Sequence, residues 1–180
     1  CLIQHIPTAR YSGTVRVVRP EKNGHTIPLQ KYCSDSIAKD KINPRDFAPH
    51  EICEISRLAV PRDFRKRQTD KFKGAATGVI NQQIYSENEL RCFPFIAVGL
   101  YLSAASIVIE NEIKHTFVMM EPRLARSMNF IGIQFEQIGP AIEYHGKRAP
   151  YYINPSLLLE NLTPGFQVML KDIRKSLNHS

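Results

Sequence analysis

The feature that most constrains how this chain can fold is a ten-residue segment, Glu51 to Val60 (EICEISRLAV), closed by Pro61. Its β-branched and apolar content predicts a strand, and the proline ends the ladder because it has no N–H to donate. Yet Glu54 and Arg57 lie inside it. A charged side chain is costly to bury unless it is paired or hydrogen-bonded, so their presence needs a reason. Positions three apart in a regular strand point to opposite faces. Bringing both charges to one face requires a β-bulge between them, and we expect one there.

The remaining text supplies layers for such a strand. Tyr11 to Arg19, with Arg16 inside, predicts a second strand paired with Cys1 to Ile6 as a hairpin. Glu21 to His50 is polar and broken by Pro28, Pro44 and Pro49; it reads as a loop with one short helix around Ser34 to Asp40. Residues 62–91 are basic, polar and weakly patterned, which predicts a mobile excursion. No charge occurs between Arg91 and Glu110, a length close to a membrane span. Pro94, Gly99, Ser103 and Ser106, without an aromatic belt or basic flanks, instead predict a helix from Pro94 to about Glu112, buried against a sheet. His115 to Met120 follows as a short buried strand, and Glu121-Pro122 starts a helix through about Phe130. Ile133 to Ile138 and Ala141 to Ile153 are strand-like, the second turning at His145-Gly146-Lys147. Asn154-Pro155 and Thr163-Pro164 mark helix starts, and Phe166, Met169, Leu170 and Ile173 share one face of an amphipathic tail. The class is α/β, or an α+β sandwich, around one mixed central sheet.

At 180 residues, 43% hydrophobic and 23% charged, residues 1–180 suit one globular domain. A formal charge of +7 points to an anionic partner: nucleic acid, an acidic protein, a phosphate-bearing ligand or a membrane surface. The cysteines at 1, 33, 53 and 92 form no CxxC pair or Cys/His cluster, so reduced thiols and no metal are expected. Cys1-Leu2-Ile3 runs at once into Gln4, His5 and Pro7, unlike a signal peptide, which implies a cytoplasmic protein. The absence of an initiator Met implies a segment upstream of Cys1.

The run Glu54-Ile55-Ser56-Arg57-Leu58-Ala59-Val60, ExSR before an apolar stretch, resembles the signature strand of the acyl-homoserine-lactone autoinducer synthases, and Arg16 in Gly13-Thr14-Val15-Arg16 matches their second motif. Two further runs, Val118-Met119-Met120-Glu121-Pro122-Arg123-Leu124 and Gly139-Pro140-Ala141-Ile142-Glu143-Tyr144-His145-Gly146-Lys147-Arg148-Ala149-Pro150-Tyr151, resemble a relative, the acyltransferases associated with PEP-CTERM/exosortase systems. The similar segments span roughly residues 10 to 153. The resemblance, which extends to N-acyl amino acid synthases, implies a GNAT-like sheet splayed at the 51–60 strand, with helices on both faces and the donor's pantetheine arm in the gap. It implies an N-acyltransferase that moves a fatty acyl group from an acyl carrier protein thioester to the amine of an amino acid or similar small acceptor. It implies no permanently bound cofactor, only acyl carrier protein or acyl-coenzyme A as co-substrate. Carried over by position, Glu54, Arg57 and Arg16 form the polar centre, and the backbone of Leu58, Ala59 and Val60 contacts the donor's arm. An attacking amine must lose a proton, so Glu54 is the candidate general base. Arg57 and Arg16 orient it or hold an acceptor carboxylate. The alternative is a buried Glu–Arg pair that only ties strands together.

Most GNAT enzymes hold the donor pyrophosphate on a QxxGxG/A loop after this strand; here Arg62-Asp63-Phe64-Arg65-Lys66-Arg67 stands instead. Such a run attracts an acidic carrier protein, or is a solvated loop with no partner. Met119, Met120, Glu121 and Tyr144 are candidates for the acceptor or acyl-chain pocket, although Glu121 also suits a helix start and Tyr144 a surface turn. Three other readings stand beside this one. An autoinducer synthase would take S-adenosylmethionine as acceptor. A basic nucleic-acid module would interleave aromatic with basic residues, and only Phe64 and Phe72 come close. An idle carrier-protein-binding domain would need no base. We expect neither nucleic-acid binding nor stable membrane insertion.

Overall fold

In a computed structural model of the chain, residues 1–20, 24–61, 64 and 95–178 are described. The basic excursion, including Arg62, Arg65, Lys66 and Arg67, lies outside them. Strands β1 (Leu2–His5) and β2 (Arg10–Val18) form the expected antiparallel hairpin through a short 3-10 turn at Ile6–Thr8. Then come β3 (Ile52–Ala59), β4 (His115–Met120), β5 (Glu136–Gln137), β6 (Ile142–Glu143) and β7 (Lys147–Ile153). Among the described residues these make one mixed sheet in the order β1-β2-β3-β4-β7-β5, with β6 also on β7. Of these pairs only β3 and β4 run parallel. A parallel pair needs a crossover connection, and helix α2 (Phe95–Glu110) lies within it.

One face of the sheet is covered by helices. The uncharged run forms α2, whose residues from Ala97 to Ala104 are all buried and which packs on β2 and β3. Gly13 of β2 permits that approach, since a Cβ there would lie 2.7 Å from Leu100 Cδ1. Helices α3 (Pro122–Asn129), α4 (Pro155–Asn161) and α5 (Pro164–Asn178) complete this layer. Each carries a proline at its first position, where the missing N–H costs nothing. Asn154 Oδ1 accepts from Ser156 N–H at 3.0 Å to cap α4. Among the described residues no helix is long and apolar enough to cross a membrane.

The other face is covered by the segment read as a polar loop. Its helix is not at Ser34 to Asp40 but earlier, α1 (Pro28–Tyr32), with a 3-10 turn at Ser34–Ser36 behind it. Pro28 opens α1, and Gln30 Oε1 accepts from Ile27 N–H at 3.0 Å. Ile27, Leu29, Cys33 and Ile37 bury themselves on Ile52, Phe117, Met119 and Tyr152 of the sheet. The cover is pinned at Gly139, where a Cβ would lie 1.8 Å from Ser36 O, and by Ala38 N–H donating to Ile138 O at 2.8 Å.

Candidate active site

The expected bulge is present, but it falls one step further along β3. Val18, Val17 and Arg16 of β2 face Glu54, Ile55 and Ser56 in unbroken register, and Thr14 then faces Ala59. One extra residue therefore lies in β3 opposite Val15. Arg57 takes it up with φ of +53°, the left-handed region that is strained for a residue with a Cβ. The consequence is a change of face. Cys53 and Ile55 point to the α2 side, and after the bulge it is Leu58 and Val60 that pack there. Arg57 itself is exposed, and no hydrogen bond or ion pair joins it to Glu54. The cation in the field of Glu54 is Arg16, two residues along the same face of β2 from Glu54's partner Val18.

Beside the bulge the sheet opens. The β3–β4 ladder ends at Ile55–Val118, whereas β4 stays paired with β7 to Met120–Ala149. Ser56 and Ala59 pair with β2 alone, and Met119 and Met120 with β7 alone, so the pairing of the two central strands has a gap there. Met119 faces the α1 side and Met120 the α2 side, where the Tyr101 hydroxyl donates to its sulfur at 3.9 Å.

Glu54 stands at the inner end of that gap, 3% exposed. Its Oε2 accepts from the Leu29 N–H at 2.6 Å, one of the backbone donors that the start of α1 leaves unpaired. Burial pushes the carboxyl up to about 7, against the opposing pull of that N–H and of Arg16. Arg16 is exposed and its Nε donates to Ser56 Oγ at 3.2 Å. Cys33 and Tyr144 are also pushed up, chiefly by burial, and Glu54 adds to both shifts. Tyr144 is half-buried against the α1-side core, although the turn beside it is real, with His145 and Gly146 at φ of +50° and +96°. Glu54, Arg16, Ser56, Cys33, Tyr144 and Met119 therefore belong to one neighbourhood.

Other candidates lie elsewhere. Glu121 is exposed at the start of α3, and its side chain makes no cap. Phe64 packs edge-on to His5, with ring centroids 5.6 Å apart, and beneath Arg10. A cavity of about 470 Å³, lined by Ile109, His115, Asn154 and Leu159, sits at the far end of β4 from the gap. Among the described residues no group of three or more His, Cys, Asp or Glu is arranged to hold a metal ion. Reading the sequence missed Leu29, Ser56 and Cys33 as neighbours of Glu54. Pro28, read above as a break in a loop, is the one signal that could have pointed to Leu29, as a helix start.

No protein-family model matches the chain, and no curated protein sequence does. Solved structures do match in shape. The AHL synthase LasI superposes with a TM-score of 0.54 at 14% identity over 85% of this chain and 66% of its own. BjaI, a CoA-dependent acyl-homoserine lactone synthase solved with SAM and isopentyl-CoA, gives 0.53 at 16% over 92% and 60%. FeeM, an N-acyl amino acid synthase from uncultured soil microbes, gives 0.51 at 12% over 87% and 68%. The chain thus spans 60% to 68% of the length of these three, and what it shares with them is the fold.

Proposed function

We propose that this protein is an N-acyltransferase of the GNAT-like type, moving a fatty acyl group from an acyl carrier protein thioester to the amine of an amino acid or similar small acceptor. The observation that carries the reading is Glu54. It is a buried carboxyl held near neutral pKa at the inner end of an opening between two central strands, in a fold shared with acyl-transferring synthases. The gap along Ser56 to Ala59 is the place for the pantetheine arm, whose amides find there a strand edge that β4 does not occupy. Glu54 accepts a proton from the acceptor ammonium. The freed nitrogen pair attacks the thioester carbonyl carbon, and the C=O pair moves onto oxygen. As the oxyanion collapses the C–S bond breaks, the thiolate takes the proton from Glu54, and the second ammonium proton leaves to solvent. Amide, thiol and one released proton balance the reaction. The runs 118–124 and 139–151 favour a PEP-CTERM-associated member of this group.

The test is Glu54→Gln, which keeps the hydrogen bond from Leu29 N–H. We expect an unchanged circular dichroism spectrum and a loss of about 10²- to 10⁴-fold in kcat/KM. Full activity in a folded variant would leave Glu54 as a helix-capping residue and sink the reading. The likeness to AHL synthases supports a second reading, with S-adenosylmethionine as acceptor. Mass spectrometry of lipid extracts from an expressing host separates the two, because the first yields an N-acyl amino acid and the second an N-acyl homoserine lactone.

A further inference from the structure

Arg148 is a cation without a counter-ion among the described residues. It sits in β7 directly opposite Ile142 of β6, and Ile142 packs against the α1-side core. Residues directly opposite in an antiparallel pair share a face, so Arg148 lies on the face that also carries Glu54, Met119 and Tyr144. The residue is half-buried, and its Nε is shielded from solvent with no hydrogen-bond partner. The ion pairs among the described residues are Lys41–Glu136, Lys114–Glu51 and Arg174–Glu110, and none includes it. A shielded Nε–H with no acceptor is unfavourable, and an oxyanion would satisfy it together with a terminal N–H of the same fork.

Its surroundings say where that oxyanion lies. Arg148 opposes the burial that pushes up both Tyr101, in the α2-side core, and Tyr144, on the other face. Arg148 is the β7 residue next to Ala149, the last one paired with β4, so it stands just past Met120 at the end of β4 where the β3–β4 pairing has already stopped. Tyr144 lies in the fields of both Arg148 and Glu54. The other two arginines fit the task less well, since Arg16 is engaged with Ser56 and Arg57 is exposed on the bulge.

We infer that Arg148 binds the carboxylate of the acceptor, so that the acceptor is an amino carboxylate presenting its ammonium to Glu54 and its carboxylate to the Arg148 fork, with the Tyr144 hydroxyl beside it. The inference rests on the acyl-transfer reading above. The same fork could instead meet an oxyanion of the donor, its phosphate or the thioester oxygen, and the test separates these sources.

Palmitoyl-acyl carrier protein is assayed with a panel of L-amino acids and their primary carboxamides, using wild type, Arg148→Met and Arg148→Lys. The expected result is a KM for the amino acid raised about 10- to 100-fold in Arg148→Met, the loss of one charge-assisted contact. The carboxamides, poor acceptors for wild type, should be unaffected by the variant, the donor KM should not change, and lysine should restore part of the loss. A raised donor KM with unchanged acceptor KM assigns Arg148 to the donor and overturns the inference. Equal losses for acids and amides do the same. Transfer by wild type to none of the panel removes the amino-acid-acceptor reading on which the inference rests, and the inference falls with it.

Discussion

At the residue scale, Glu54 works in two opposing ways. Its carboxyl titrates near 4.5 in the unfolded chain and near 7 when folded, because burial outweighs the Leu29 N–H and Arg16. Between those values the folded state binds more protons than the unfolded one, so this group's contribution to stability is lost as pH rises from about 4.5 to 7. Fully expressed above pH 7, the cost is about 3 kcal/mol. The carboxamide in Glu54→Gln cannot titrate. The melting temperature of wild type relative to that variant should therefore fall across the same window and level off above it, and a constant difference from pH 4.5 to 8 would show that the carboxyl is not raised. Under the proposed mechanism activity runs the other way, because a general base works only once deprotonated. kcat should climb through about pH 7 while the protein loses stability, a conflict that a purely structural glutamate has no cause to maintain.

The bulge belongs to the scale of elements. Arg57 holds φ of +53°, at a cost of about 1–2 kcal/mol that a glycine would not carry. Arg57→Gly should leave the melting temperature unchanged or higher, the relief of strain being partly offset by the entropy glycine loses on folding. If the side chain serves the reaction, the same variant loses acyl transfer about tenfold or more. A variant that is both less stable and fully active would mean that the arginine is there for the fold. The two charges in an apolar strand did announce a bulge, yet they misplaced it. Spacing says that a register shift is needed, while its position depends on the pairing with Thr14 and Arg16, some forty residues away. Helices α2 to α5 were legible for local reasons, an uncharged run and three helix-opening prolines. The cover over Glu54 was not, because Leu29, Cys33 and Ile37, although four apart, sit in a polar, proline-punctuated stretch that breaks into a short helix and a 3-10 turn, and what they pack on lies in distant strands. Arg148 stayed unremarked for a related reason: its isolation follows from what the sheet brings near it, and its neighbours in sequence carry no hint of that.

On the scale of the whole molecule, the proposed donor site has two parts, the unpaired strand edge and the charge. The unpaired edge along Ser56 to Ala59 is our proposed place for a pantetheine arm, an arm common to coenzyme A and acyl carrier protein. What distinguishes the two donors must lie outside the gap, in whatever holds the rest of the donor. A formal charge of +7, with six Lys or Arg against two Asp between Arg62 and Lys73, makes the basic run our proposed contact for an acidic carrier protein. Charges at the rim of an interface act mainly on encounter and weaken with salt. Reversing three of them, with Arg65→Glu, Lys66→Glu and Arg67→Glu together, should raise the KM for palmitoyl-acyl carrier protein about tenfold and remove its salt dependence. The KM for palmitoyl-pantetheine, which fills the gap but carries no protein, should not move. If both donors suffer alike the run supports the fold of the site, and if neither does, the carrier protein docks on another surface.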